Sequence, residues 1–241
     1  MLAGAPITHL VVYAHDLPSS VDFYHRRLGL PLLHADADVA RLDAGGVEVW
    51  LQPAAAHGVS LFGRRDDSSD VVFLTEDLER VRVALEGRGV RFERRRSYEV
   101  GLVTDFYDPN GHRLMLYQPS PTALTWPSAP KIRDVWRAYG RGGGEVIGPA
   151  AGPAPGPDEE TGLLGKPLIY LFMFENDQTA AYEFYCRTLR LPLLERVHCC
   201  NQDCDAEVEG IGKYDAGDLL LSTHHMHERS MVFDDLGRPY S

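Results

Sequence analysis

A chain of 241 residues with 44% hydrophobic side chains is long enough for one or two globular domains and ordinary in its supply of core residues. Its net charge of −11 argues against a nucleic-acid partner, which needs clustered cations to neutralise phosphate, and against attraction to anionic membrane faces. No apolar run reaches the ~18 residues of a membrane span, and no basic segment leads into an apolar signal core, so a cytoplasmic location is expected.

In chain order, Ile7 to Tyr13 reads as an apolar strand. A helix is predicted from about Ser19, a good N-cap residue, through Leu28, with Gly29 as its stop. Strands follow near Leu32 to Leu42 and Val47 to Gln52. After a Gly- and Asp-rich loop, Val71 to Leu74 opens a second round. Its helix, Asp77 to about Arg88, sets Leu78, Val81, Val83, Ala84 and Leu85 along one broad face. Two further strands, near Leu102 to Tyr107 and Arg113 to Tyr117, flank the turn Asp108-Pro109-Asn110-Gly111, where Asn and Gly tolerate positive φ.

The composition then changes. Lys131 to Tyr139 suits a short helix, but Gly140 to Pro157 is dominated by Gly, Pro and Ala and reads as a linker. A third round follows, with a strand from Pro167 to Phe174 and a helix from about Gln178 to Leu189. Its later strands are expected near Leu193 to Cys200, Val208 to Tyr214 and Asp218 to Thr223.

The first and third rounds are copies. Phe23-Tyr24-His25-Arg26-Arg27-Leu28-Gly29-Leu30-Pro31-Leu32-Leu33 returns as Phe184-Tyr185-Cys186-Arg187-Thr188-Leu189-Arg190-Leu191-Pro192-Leu193-Leu194, identical at eight of eleven positions. Asp43-Ala44-Gly45 returns as Asp215-Ala216-Gly217, each time ahead of an apolar strand. Self-similarity at this distance marks a duplicated supersecondary unit: a strand, a helix and three more strands.

These residues carry a family resemblance. Asp16-Leu17-Pro18-Ser19-Ser20-Val21-Asp22-Phe23-Tyr24, then Leu28-Gly29-Leu30, and later Asp108 to Tyr117, resemble the signatures of the vicinal oxygen chelate superfamily. That group includes glyoxalase I, bleomycin- and fosfomycin-resistance proteins and extradiol dioxygenases. The resemblance covers residues 7 to 118 as two units and 167 to about 223 as a third. It implies an α+β fold in which paired βαβββ units form a curled mixed sheet, here with an additional third unit. The expected organisation is a complete two-unit domain at 1–118, a Pro/Gly/Ala-rich linker with a possible short helix at 119–166, and a one-unit partial domain at 167–241.

Strand alternation says which residues face the cup of such a sheet. If Leu10 and Val12 pack on the helix, then His9, Val11 and Tyr13 point inward; by the same rule so do Glu48, Trp50, Gln52, Asp70, Met115 and Tyr117. The resemblance implies ligand positions at His9, at Glu48 or Trp50, at Asp70 and at Met115. His9, Glu48 and Asp70 are candidate ligands for a divalent Fe, Mn, Ni or Zn ion. Met115 stands where the metalloenzymes of the family place Glu, and a thioether is a poor ligand for a hard ion. A metal-free cup is therefore expected. Its ligand-binding residues would be His9, Tyr13, Glu48, Trp50, Asp70, Met115 and Tyr117, holding a small organic molecule.

Two alternatives stay open: a metal-dependent lyase or ring-cleaving dioxygenase, and an assembly module completed by a partner chain. A lone third unit leaves strand edges unpaired, so either a partner chain completes it, or the chain is a fragment, or the half-domain packs against the first domain; a homo-oligomer is expected. All four cysteines (Cys186, Cys199, Cys200 and Cys204) lie late in the chain, and with no signal peptide they are expected as reduced thiols or metal ligands. His198, Cys199, Cys200 and Cys204, with His224, His225 and His227, form a cluster whose residue types suit zinc but whose spacing matches no common finger.

Overall fold

The computed structural model describes residues 5–61, 66–141, 162–175, 177–197 and 211–225. The first unit contains β1 (His9–Ala14), α1 (Leu17–Val21), β2 (Leu32–Ala35), β3 (Ala40–Asp43) and β4 (Glu48–Pro53). The second contains β5 (Asp66–Leu74), α2 (Leu78–Gly87), β6 (Phe92–Tyr98), β7 (Gly101–Tyr107) and β8 (His112–Pro119). The helix α3 (Ala129–Tyr139) comes next. The third unit contains β9 (Leu168–Glu175), α4 (Gln178–Tyr182), β10 (Leu193–Val197), β11 (Ile211–Asp215) and β12 (Leu220–His225). The βαβββ plan therefore holds three times, in an α+β fold with curled mixed sheets.

The local details explain several departures from the sequence reading. The cap of the first helix is Asp16, whose carboxylate accepts the Ser19 N–H at 3.0 Å, so the helix starts two residues before Ser19. It then widens into a π-helical turn over Asp22–Arg27, and the copied stretch Glu183–Thr188 does the same. Gly29 ends the first helix at φ 83; its counterpart Arg190 adopts φ 58 without glycine's freedom. Val83 is 59% exposed, so the apolar face of α2 is narrower than predicted and rests on the buried Leu78, Val81 and Leu85. The strand β6 was not anticipated. The insertion from His198 to Val208, and with it most of the Cys/His cluster, lies outside the described residues, as do residues 142–161 of the linker.

Strand pairing differs from the expected domain plan. The strands β1-β4-β3-β2 make a four-stranded sheet by themselves. The second and third units join instead, in the order β10-β11-β12-β9-β5-β8-β7-β6, through an antiparallel β5–β9 contact. The unit at 167–225 is thus completed within the chain, and it is the first unit whose leading strand has no second partner among the described residues. The physical reason is that every unit presents the same kind of backbone edge, so edges alone do not select partners. Contacts elsewhere do.

Two of those contacts are reciprocal. The Ala44 carbonyl, in the first Asp-Ala-Gly turn, accepts the N–H of Leu168 at 2.8 Å, and the Ala216 carbonyl, in the second, accepts the N–H of Ile7 at 2.8 Å. Each turn thereby holds the start of the other unit's leading strand. The glycines are required there: a Cβ on Gly45 (φ +79) would lie 2.8 Å from Pro167, and one on Gly217 (φ +94) 2.4 Å from Pro6. The duplicated motif is a docking turn.

Two cores follow. One lies between the units and gathers Phe23, Tyr24, Leu28, Val49, Leu51, Phe73, Leu78, Leu114, Leu116, Tyr214 and Leu221. The other lies on the opposite face of the eight-stranded sheet, where Val72, Leu74, Met115, Tyr117, Ile169, Tyr170 and Leu220 meet Leu124, Ala129, Ile132, Val135 and Trp136. The apolar positions of α3 recur at helical spacing, and that stripe fills the bowl of the larger sheet.

Candidate binding face

The filled bowl and the open sheet divide the predicted residues between them. On β1 and β4 alternation holds as expected: Val49 and Leu51 are buried in the core, while Glu48, Trp50 and Gln52 lie on the opposite, accessible face with His9, Val11 and Tyr13. The parallel ladder sets His9 beside Glu48 and Val11 beside Trp50. The His9 ring stacks on the Trp50 indole with centroids 4.3 Å apart and planes 19° apart. Tyr13 meets His57 at 5.5 Å, extending the aromatic surface.

Glu48 is held on three sides. Arg41 donates to both of its oxygens at 2.8 Å, from Nε and Nη2, and Trp50 Nε1 donates to Oε2 at 2.6 Å. The Arg41 guanidinium also lies 5.2 Å from the indole centroid. The hydrogen bond from Arg41 is the main cause that takes the Glu48 carboxyl down from 4.5 to about 2, with the Trp50 bond next. A carboxyl held this low stabilises the folded chain above pH 4.5 and loses that contribution as the pH falls toward 2. A side-chain carbon NMR titration should accordingly show Glu48 ionised at pH 3.5, where an unpaired carboxylate would be largely protonated; a midpoint near 4.5 would contradict the clamp.

Asp70, Met115 and Tyr117 belong to the other sheet. Met115 and Tyr117 are buried under α3, and the Tyr117 hydroxyl donates to the Val100 carbonyl at 2.8 Å. Asp70 is 1% exposed and takes two bonds from Arg113, from Nε to Oδ1 at 2.6 Å and from Nη2 to Oδ2 at 2.5 Å. Burial works against the Arg113 charge, but Asp70 outweighs it and holds the guanidinium above its ordinary range. The seven predicted residues therefore form no single cup. His9, Tyr13, Glu48 and Trp50 stand together; the other three do not join them. Arg41, which completes the face, was missed, although its position seven residues before Glu48 across a β-turn is the available signal.

The donor set does not suit a metal ion. Both oxygens of Glu48 and both of Asp70 are engaged by guanidinium groups, and the two carboxylates lie on different sheets. Among the described residues no three His, Cys, Asp or Glu side chains converge as a ligand group. A recess of about 390 Å³ lies elsewhere, between the first unit's helix and the second unit, lined by Ser19, Phe23, Arg27, Arg91, Glu93 and Tyr107. It contains none of the predicted residues.

What the face offers is a flat aromatic platform, a cation beside it and a fixed carboxylate. Such a surface stacks planar groups and orients them by hydrogen bonds.

Comparison with known proteins bears on the same segment. Residues 6–116 match the model of the Glyoxalase/Bleomycin resistance protein/Dioxygenase superfamily. A Bacillus subtilis subsp. subtilis str. 168 protein assigned as a dioxygenase is similar over 92% of this chain and 64% of its own, at 16% identity and a TM-score of 0.55. A lactoylglutathione lyase from Agrobacterium tumefaciens is similar over 47% of this chain and 92% of its own, at 16% identity and a TM-score of 0.37. A glyoxalase/bleomycin resistance protein/dioxygenase from Nocardioides covers 48% of this chain and 85% of its own, at 23% identity and a TM-score of 0.39. No curated protein matches significantly in sequence.

Proposed function

Starting from a chain whose residues 6–116 match the model of the glyoxalase/bleomycin resistance protein/dioxygenase superfamily, we propose that it binds a small planar organic molecule on the open face of the first unit. The stacked His9–Trp50 pair beside the Arg41–Glu48 clamp is the observation that carries this reading. The platform is rigid before any ligand arrives, because Trp50 is fixed by its bond to Glu48 and Glu48 by Arg41. Binding to a preformed surface avoids the entropic cost of ordering these side chains. Trp50 and His9 would stack on the ligand's ring, Tyr13 would extend the contact, and the outward edge of the Arg41 guanidinium would meet an acceptor on the ligand.

The larger bowl is a poorer candidate, since α3 already occupies its apolar surface. The proposed setting is the cytoplasm. No helix among the described residues is long and apolar enough to cross a membrane. The experiment is a titration of the purified chain with 2-naphthoic acid, 1,4-naphthoquinone and bleomycin, read by tryptophan fluorescence. Saturable quenching by at least one probe is expected; no saturable change with any of them would contradict the proposal.

A further inference from the structure

The two copies of the duplicated helix differ at positions that folding does not demand. Phe23 to Leu33 and Phe184 to Leu194 part at His25/Cys186, Arg27/Thr188 and Gly29/Arg190. Both stretches form the same widened turn, Asp22–Arg27 and Glu183–Thr188, so that turn requires no arginine at its end. Upstream, Ser19 is replaced by Ala180, while the caps Asp16 and Asp177 are kept. Of the replaced residues, Ser19 and Arg27 both line the recess of about 390 Å³ between the first unit's helix and the second unit.

Two arginines meet at this recess from different units. Arg27 comes from the first: its Nε donates to Asp22 Oδ2 at 3.3 Å, and its Nη1 reaches to 3.9 Å from the place a Cβ on Gly89 would take. The Arg27 side chain is 47% exposed, and an ion pair that exposed contributes little to holding it. Arg91 comes from the second unit, just ahead of β6, and makes no hydrogen bond or ion pair among the described residues. The lining also holds two carboxylates. Asp108 is already saturated, since its oxygens accept from the Tyr24 hydroxyl, the Asn110 backbone and side chain and the His112 N–H at 2.8 to 3.1 Å. That leaves Glu93 against two guanidinium groups, on a chain whose net charge is −11. Phe23, buried in the core, supplies an apolar wall.

From this arrangement we propose that the recess binds a small organic carboxylate. Arg27 and Arg91 hold its oxygens, because the guanidinium fork matches a planar carboxylate, and its apolar part lies against Phe23. The volume suits a ligand of small-molecule size. Glu93 selects for the single negative charge, since a phosphate ester brings about −1.5 to −2 and meets more repulsion there. The recess shares no residue with the open face of the first unit, so this inference does not rest on the function proposed above.

Isothermal titration of the full chain with sodium hexanoate, at a fixed ionic strength of about 0.1 M, tests the site. Saturable heat is expected with hexanoate and none with hexanamide, its neutral counterpart. Arg27→Thr and Arg91→Gln should each weaken hexanoate binding by about tenfold or more. Both variants should keep the parent's circular dichroism: threonine is what the copied turn carries, and Arg91 has no partner among the described residues to lose. If one variant fails to fold, the other decides. No saturable heat up to about 10 mM hexanoate would overturn the inference, as would equal binding of hexanamide or an affinity that neither variant changes. Tighter binding of hexyl phosphate than of hexanoate would overturn the assignment to a carboxylate. No tryptophan lines the recess, so this titration and the quenching of Trp50 succeed or fail separately.

Discussion

Arg113→Met should destabilise the protein by about 3–5 kcal/mol, the loss expected when one member of a buried ion pair is removed and the other stays charged. Asp70 is 1% and Arg113 6% exposed, and the bidentate geometry leaves the carboxylate no route to water in the folded state. The pair sits where β5 and β8 run side by side, so the substitution would strip Asp70 of both guanidinium bonds in the middle of the eight-stranded sheet. The double variant Asp70→Leu/Arg113→Met should recover most of the loss, because it buries two apolar groups in place of a carboxylate that has lost its guanidinium. Urea unfolding of the two variants checks this. A single-variant loss under about 1 kcal/mol, or a double variant no better than the single one, would contradict the assignment.

The second large effect belongs to α3. Trp136 is 3% exposed, packs into the bowl of the larger sheet and has the Lys166 ammonium 5.7 Å from its ring. Lys166 in turn donates to both oxygens of Glu76 at 2.8 Å, which fixes the segment leading into β9. Trp136→Ala should therefore cost about 3–5 kcal/mol, the range for deleting a buried aromatic side chain. Trp50→Ala, on the open face, should cost about 1 kcal/mol or less, because its ring leaves no cavity behind. Thermal unfolding of the two variants compares them directly. Equal losses would mean that α3 does not seal the bowl.

Much of this architecture was legible in the residues. The copied stretch from Phe23 to Leu33 and from Phe184 to Leu194 gave the repeat, and period-two alternation placed Leu10 and Val12 in the core and His9 and Trp50 on the other face. Both signals are carried by side chains. The pairing of the units is carried by backbone edges, which are alike in all three, so nothing in β1, β5 or β9 says which two will join. The decision rests on long-range contacts such as Leu168 to Ala44 and Tyr24 to Asp108. The strand β6 escaped notice because Phe92–Tyr98 is almost wholly exposed and carries arginines at 94, 95 and 96, hiding the apolar alternation of a strand. The short helix before the linker was expected, but its burial was not: only the opposing sheet face gives Ile132, Val135 and Trp136 a surface to cover. Splitting the seven predicted site residues between two sheets follows directly from the β5–β9 pairing.

The central claim is that the first unit's open face, and not the sealed bowl, takes the ligand. Tryptophans stand in both places: Trp50 on the face, Trp126 and Trp136 around α3. Repeating the fluorescence titration on Trp50→Phe is therefore the most direct test. The account predicts that the saturable quenching disappears while the remaining emission stays constant; quenching of undiminished size and affinity in Trp50→Phe would place the ligand at α3 and contradict it.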